Sequence, residues 1–128
     1  MLKFGSFPFL ECSSKGDKRF SAFYAKIRSR ENKSIEEIYQ SSKIFKTRHG
    51  NNFRYIEYWR DAKGLEPINK IEIRKLYSNL WDEYFEENSQ LLDIIKEFNG
   101  FSDIFGQKGH CCQAEEIWRI KNEKENNV

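Results

Sequence analysis

Three polar side chains recur along one helical stripe in the segment SIEEIYQSSKIF, residues 34–45. Glu36, Gln40 and Lys43 stand at positions i, i+4 and i+7, a spacing that aligns them on one side of a helix. They border the apolar stripe of the same segment. A carboxylate, an amide and an amine in such a row can exchange protons, bind hydroxyls or bind anions if a pocket lies in front of them. The alternative is that they are ordinary solvated helix surface.

Three further clusters carry groups that could act chemically, and for each a structural role is favoured. Residues 13–18, SSKGDK, offer hydroxyls, lysines and backbone amides that suit a phosphate, but they lack the spacing of a Walker loop. Residues 106–110, GQKGH, are predicted to form a similar glycine-bearing turn. His110, Cys111 and Cys112 are consecutive, so their side chains cannot easily point at one ion. We therefore predict no metal site and interpret the cysteines as small buried residues.

The elements that must position these groups are predicted to be mostly helical. Ser34 can cap the first helix, with Glu37 reaching back to complete a capping box, and we expect that helix to end near Gly50. The strongest helical pattern runs from about residue 69 to residue 88, and a further helix is expected within 89–100. A last helix is predicted over the segment CCQAEEIWRIKNE, residues 111–123.

Short strands complete the predicted architecture. We expect them within residues 1–30 and around residues 53–58, where extended apolar pieces alternate with polar loops. The fold class predicted from these elements is mainly α with a small β component (α+β). At this length the chain forms one domain. We place a single compact domain at residues 1–122 and a flexible tail at residues 123–128.

Composition argues against several classes of protein. The 22 basic and 20 acidic residues leave a formal net charge of +2, which provides no overall basic surface for duplex nucleic acid. No apolar stretch approaches the roughly 20 residues of a membrane helix, and the N-terminal segment lacks a signal-peptide core. Three cysteines are an odd number and do not indicate a disulfide framework. We expect a cytoplasmic protein that has no membrane association and no cofactor.

An ordered set of motifs spans about residues 20–121. SAFY at 21–24 precedes the Glu-x-x-x-Gln-x-x-Lys stripe, and it is followed by YFEEN at 84–88, SDIFGQKGH at 102–110 and IWRIK at 117–121. In this order they resemble the NADAR (YbiA-like) family of small proteins, which act on N-glycosidic bonds of ribose-containing metabolites and ADP-ribose adducts. The chain departs from the family pattern at Ala22, where the family has Asn, at Phe105, where it has Trp, and in its altered CCQA segment. The resemblance implies a divergent and shortened NADAR-like domain.

The resemblance also implies roles for particular side chains. Glu36 would stabilise the oxocarbenium-like charge that builds on a ribose during N-glycosidic cleavage, or activate water, with Asp103 as the second carboxylate. Lys43 would meet a phosphate or the developing charge, and either Lys43 or Lys63 could attack the ribose carbon covalently. Gln40 would hold a ribose hydroxyl. The catalytic set is thus Glu36, Lys43 and Asp103, and the substrate-binding set is Ser21, Phe23, Tyr24, Gln40, Lys63, Gly106, Trp118 and Arg119, with Trp59 a further aromatic that could stack on a base.

Two other functions remain open at the level of sequence. A non-catalytic module could keep the pocket and bind a nucleotide-like or ADP-ribose-containing ligand, which the altered CCQA segment favours. A small phage-type inhibitor of a host enzyme could instead use the aromatic surface, since aromatic residues make up 16% of the chain. Nucleic acid is expected as a partner only in the form of a modified substrate, because the net charge is close to neutral.

Overall fold

The computed structural model describes residues 2–4, 7–46, 52–54, 67–102 and 113–126. They form an α+β domain in which helices predominate, as the sequence predicts. The strands are β1 (Leu2–Phe4), β2 (Phe7–Glu11), β3 (Lys26–Ile27), β4 (Lys33–Ser34), β5 (Ile44–Lys46), β6 (Asn52–Arg54) and β7 (Gly100–Ser102). The helices are α1 (Ile35–Ser41), α2 (Lys70–Glu87), α3 (Gln90–Ile95) and α4 (Gln113–Asn126).

The strands form three small sheets. In the largest, β2 lies between β1 and β7, antiparallel to the first and parallel to the second. The parallel register pairs Leu10 with Phe101, so this sheet joins the beginning of the chain to the segment after α3. Strands β3 and β4 pair antiparallel directly before α1, and β5 and β6 pair antiparallel after it. In sequence, α1 therefore lies between two short two-stranded ribbons.

Helix α2 is the centre of the core. Its buried face presents Leu80 and Trp81, which are both fully buried, together with Tyr84 and Phe85. The Trp81 ring lies 6.0 Å from the Phe85 ring, and Phe20 approaches Phe85 at 6.3 Å. The Tyr84 hydroxyl donates a hydrogen bond to the Arg19 carbonyl at 2.6 Å, and burial raises the pKa of Tyr84 to about 12. The segment 18–20 is thus fixed to α2 by both packing and a hydrogen bond.

Helix α1 ends earlier than the sequence predicts, and the expectation of a helix to Gly50 is wrong. The Ser42 hydroxyl bonds back to the Ile38 carbonyl at 2.8 Å, which competes with continuation of the helix. The Asn69 side chain then donates to the Ser42 carbonyl and accepts from the Ile44 N–H, both at 3.0 Å. These contacts direct residues 44–46 into β5 instead of a further helical turn.

Other boundaries also differ from the predicted ones. The 89–100 segment is helical only over α3, and Gly100 begins β7 instead of ending a helix. The SAFY segment, expected to be extended, forms a turn at residues 22–24. Helix α4 continues to Asn126, into the segment predicted to be a tail. Within the described part of the chain, none of the helices has the length and apolar character needed to cross a bilayer.

Candidate functional site

Glu36 and Gln40 meet on α1, one turn apart. The Gln40 side-chain amide donates to Glu36 Oε1 at 2.7 Å, and both residues are half-buried. The helix places them there because Ser34 caps it: the Ser34 hydroxyl accepts from the Glu37 N–H at 3.1 Å, which is one half of the predicted capping box. A carboxylate in the first turn is also favoured by the partial positive charge of a helix N-terminus. The stripe thus begins with a fixed carboxylate.

The SAFY turn lies directly against α1, the helix that carries Glu36. The Ser21 carbonyl accepts from the N–H groups of Tyr24 and Ala25 at 3.0 and 2.8 Å, which closes the turn. The Ala22 carbonyl accepts from the Glu36 N–H at 3.0 Å. The structure therefore brings together two motifs that the sequence separates by more than ten residues.

Helix α4 reaches the same turn from the other side. The side-chain oxygen of Gln113, the first residue of α4, accepts from the Ala22 N–H. Ala22 is therefore held through its N–H by α4 and through its carbonyl by α1. Sequence reasoning missed Gln113, for which the available signal was a polar residue in the first turn of the last predicted helix. The turn thus contacts the N-terminal ends of both helices.

An exposed aromatic pair follows Ala22. The exposed fractions of Phe23 and Tyr24 are both 47%, although the residues on either side of them, Ala22 and Ala25, are buried. The Lys18 ammonium lies 4.7 Å from the centre of the Tyr24 ring. A planar base stacks favourably on an exposed aromatic ring, and a nearby ammonium suits an anionic group of the same ligand. The pair is therefore a candidate binding surface beside the Glu36 helix.

Lys43 lies two residues beyond the end of α1. Its ammonium lies 4.6 Å from the centre of the Tyr39 ring, and its side chain is half-buried. Tyr39 in turn packs edge-on against Tyr77 of α2, with ring centres 5.1 Å apart. The cation is thus positioned by an aromatic residue that is itself anchored in the core. Of the predicted helical stripe, Glu36 and Gln40 are in direct contact, whereas Lys43 lies past the last residue of α1, so the prediction that all three share one helix is wrong for Lys43.

Ser21 was predicted to bind substrate, and the structure buries it. Its exposed fraction is 0%, and its hydroxyl has no hydrogen-bond partner among the described residues. A buried hydroxyl without a partner lowers stability compared with a hydrogen-bonded one. A ligand group or a buried water would satisfy the hydroxyl, but the segments that cover it would have to open for a ligand to arrive.

Trp118 and Arg119 lie on α4 and contact other elements. Trp118 is half-exposed and approaches the Phe101 ring of β7 at 6.2 Å. Arg119 forms ion pairs with Asp82 of α2 at 3.1 Å and with Glu116 at 2.9 Å. Burial lowers the pKa of Arg119, but its carboxylate partners outweigh burial and hold that pKa above the usual value. The described contacts of Arg119 hold α4 against α2.

Three predicted site residues lie outside the described residues: Lys63, Asp103 and Gly106. The same is true of Trp59 and of the segment His110–Cys112. The predicted juxtaposition of Asp103 with Glu36 therefore stays a prediction. In the portion of the chain that is described, no cluster of three or more His, Cys, Asp or Glu residues could hold a metal ion.

Three backbone amides of the SSKGDK loop are engaged by oxygens of Glu11 and Ser13. The Ser13 N–H donates to Glu11 Oε2 at 3.3 Å, the Lys15 N–H to the Ser13 hydroxyl at 3.2 Å, and the Gly16 N–H to the Ser13 carbonyl at 3.0 Å. A Cβ at Gly16 would lie 2.1 Å from the Glu11 carbonyl oxygen, so only glycine fits there. These amides are not directed at an anion, which agrees with the interpretation of this segment as a structural turn.

No family model matches the sequence, and neither a curated protein nor a solved structure is significantly similar to the chain. What the site can do follows from the chemistry and geometry of its own side chains.

Proposed function

We propose that the chain is an N-glycosidase that acts on the bond between a ribose and a nitrogen, in a ribosylated nucleotide or an ADP-ribose adduct. One observation carries this proposal: a half-buried carboxylate, Glu36, is hydrogen-bonded to Gln40 while its backbone N–H holds the turn that exposes Phe23 and Tyr24. A fixed negative charge beside a stacking surface suits a substrate with a base and a sugar that becomes cationic during the reaction.

The chemistry assigned to Glu36 is charge stabilisation together with activation of water. As the C–N bond breaks, its electrons leave with the base, and positive charge spreads over the ribose carbon and ring oxygen. The carboxylate stabilises this charge and accepts a proton from the water whose oxygen adds to the ribose carbon. A base that departs as an anion takes up the proton that Glu36 accepted, whereas a base that is already cationic, as in NAD, departs neutral and Glu36 returns its proton to solvent. Because Gln40 engages Oε1, the remaining accepting capacity of the carboxylate is free to face the substrate.

Gln40 and Lys43 have supporting roles in this proposal. The Gln40 amide donates to Glu36, which orients the carboxylate, and its carbonyl oxygen can still accept from a ribose hydroxyl. The Lys43 ammonium, positioned over Tyr39, supplies positive charge for a phosphate at the far end of α1. We assign no covalent step to Lys43, since water attack accounts for the cleavage.

The test is Glu36→Gln with a substrate that carries the predicted bond, such as NAD or an ADP-ribosylated oligonucleotide. The exchange retains size and removes the charge, so we expect turnover to fall on the order of a hundredfold or more, with little change in ligand affinity. Glu37→Gln is the matched control because Glu37 is exposed and lies on the next position of the same first turn. Equal loss in both variants, or no loss in Glu36→Gln, would contradict the proposal.

A second candidate is a non-catalytic module that binds ADP-ribose or a similar nucleotide. What favours it is the departure of the chain from the family pattern at Ala22 and in the CCQA segment. Such a module would be stabilised thermally by ADP-ribose, with a stabilisation that rises with the logarithm of ligand concentration above the Kd, and would release no base from any substrate. Product formation, measured together with thermal stabilisation, separates the two functions.

A further inference from the structure

We infer that Gln113 is a positioning residue of the proposed site, which it reaches from the far end of the sequence. This inference rests on the proposed function. The Gln113 side chain accepts a hydrogen bond from the Ala22 N–H across a separation of 91 positions in the chain. Gln113 is only 8% exposed and Ala22 only 1%. A contact between buried partners is protected from competition with water.

The hydrogen bond from Ala22 to Gln113 helps to fix the backbone conformation of Ala22. A peptide group is planar, so the N–H and the carbonyl of one residue belong to two planes joined by its φ and ψ angles. The Gln113 side chain accepts a hydrogen bond from the N–H in the first plane. The Glu36 N–H donates one to the carbonyl oxygen in the second plane, at 3.0 Å. Both dihedral angles of Ala22 are thereby restricted. The direction in which the chain leaves toward Phe23 and Tyr24 is set relative to Glu36.

The two hydrogen bonds to Ala22, from Gln113 and from the Glu36 N–H, form a clamp, and each comes from a helix that packs into the shared core through its own residues. Helix α4 is fixed to the core through Ile117 and Ile120, which are buried, and α1 through Ile35. Movement of either helix therefore changes the dihedral angles of Ala22 unless a hydrogen bond breaks. The clamp makes the distance between the aromatic surface and the carboxylate depend on the packing of α4.

The first experiment uses the wild-type protein. NMR detects scalar coupling across a hydrogen bond, and we expect coupling between the Ala22 backbone nitrogen and the side-chain carbonyl carbon of Gln113. Slow exchange of the Ala22 amide proton is expected for the same reason. Absence of both signals would overturn the inference without any variant being made.

The second experiment compares three variants by titration with ADP-ribose. Gln113→Met keeps the length of the side chain and removes the acceptor, so we expect about tenfold faster exchange at Ala22 and about tenfold weaker ADP-ribose binding. Gln113→Glu keeps an accepting oxygen, and the helix N-terminus favours its negative charge. We therefore expect this variant to retain the wild-type affinity for ADP-ribose. Gln90→Met is the matched control, because Gln90 is an exposed first residue of α3.

The outcomes distinguish failure of the inference from failure of the proposed function. Wild-type protein that neither binds ADP-ribose nor cleaves a ribosyl substrate overturns the function, and the positioning role falls with it. Wild-type binding that Gln113→Met leaves unchanged overturns the positioning role alone. An equal loss in Gln90→Met, or in Gln113→Glu, also overturns it. A loss confined to Gln113→Met supports the role.

Discussion

Ser21 has a side chain that could bind a ligand, but it lies in a buried position. A serine beside two exposed aromatic residues looks like a ligand-binding group, yet the structure buries it completely, with no hydrogen-bond partner for its hydroxyl among the described residues. Its backbone, in contrast, is fully used, since its N–H donates to the Lys18 carbonyl and its own carbonyl accepts twice. The described contacts of Ser21 therefore come from its backbone.

This arrangement leads to a prediction for Ser21→Ala. Removing a buried hydroxyl that has no partner should leave the free energy of unfolding unchanged or raise it by up to about 1 kcal/mol, as measured by urea denaturation. Ser42→Ala is the contrasting control, because it deletes a hydrogen bond of 2.8 Å to Ile38 and should lower stability. A fall in ADP-ribose affinity in Ser21→Ala, with stability retained, would show that the hydroxyl meets the ligand.

Glu36 is the residue for which sequence and structure agree most closely on position. Helical spacing alone predicts that Glu36 and Gln40 share a face, and the 2.7 Å contact confirms it. The spacing could not predict that the two side chains would bond to each other, nor that the Glu36 N–H would hold Ala22. The bond between Glu36 and Gln40 depends on the rotamers of the two side chains. The bond from the Glu36 N–H to Ala22 depends on a tertiary contact that the sequence pattern does not indicate.

Among the elements, α1 and its end show why boundaries are harder to predict than the helices themselves. The capping serine and the apolar spacing of Ile35 and Ile38 identified where α1 begins. Its end depends on Asn69, which is 25 positions away from Ile44 in sequence and bonds to both sides of the junction. A local pattern contains no information about such a partner. The glycine at position 50 was therefore a misleading signal for the end of the helix.

Asn69→Ala tests this account of the junction. The substitution removes two hydrogen bonds between half-buried groups and leaves the Ile44 N–H and the Ser42 carbonyl without that partner. We expect the free energy of unfolding to fall by about 1–3 kcal/mol in urea denaturation. Asn79→Ala serves as control, since Asn79 is exposed in the middle of α2 and alanine favours a helix. Similar stability of the two variants would contradict the proposed role of Asn69.

The long amphipathic helices were predictable for a physical reason that α3 and the short strands lack. Helix α2 repeats its buried positions over 18 residues, so the pattern is sampled several times, and its observed bounds agree with the predicted range. Strands of two or three residues, such as β3 and β5, are too short to show a period of two. Their formation depends on pairing partners elsewhere in the chain.

At the scale of the molecule, the core connects the parts of the proposed site. The cluster of buried residues extends from Leu10 and Cys12 near the beginning of the chain to Ile117 and Ile120 of α4. Ala22 and Ile35, next to the site residues, belong to the same cluster. The turn, the carboxylate helix and α4 therefore share one packed interior, although they come from distant parts of the sequence. Loss of packing at any point of this interior is expected to affect all three.

The last prediction concerns the cooperativity of this interior. Leu80 is fully buried at the centre of α2, so Leu80→Ala should leave a cavity and lower the free energy of unfolding by about 2–5 kcal/mol. Leu76→Ala is the matched control on the same helix, and its effect should be smaller because Leu76 is only partly buried. Because one core connects the elements, circular dichroism and tryptophan fluorescence should give the same unfolding midpoint in each variant. Separate midpoints for the two probes would show that the chain does not unfold in a single cooperative transition, and the site could then no longer be treated as a product of a single core.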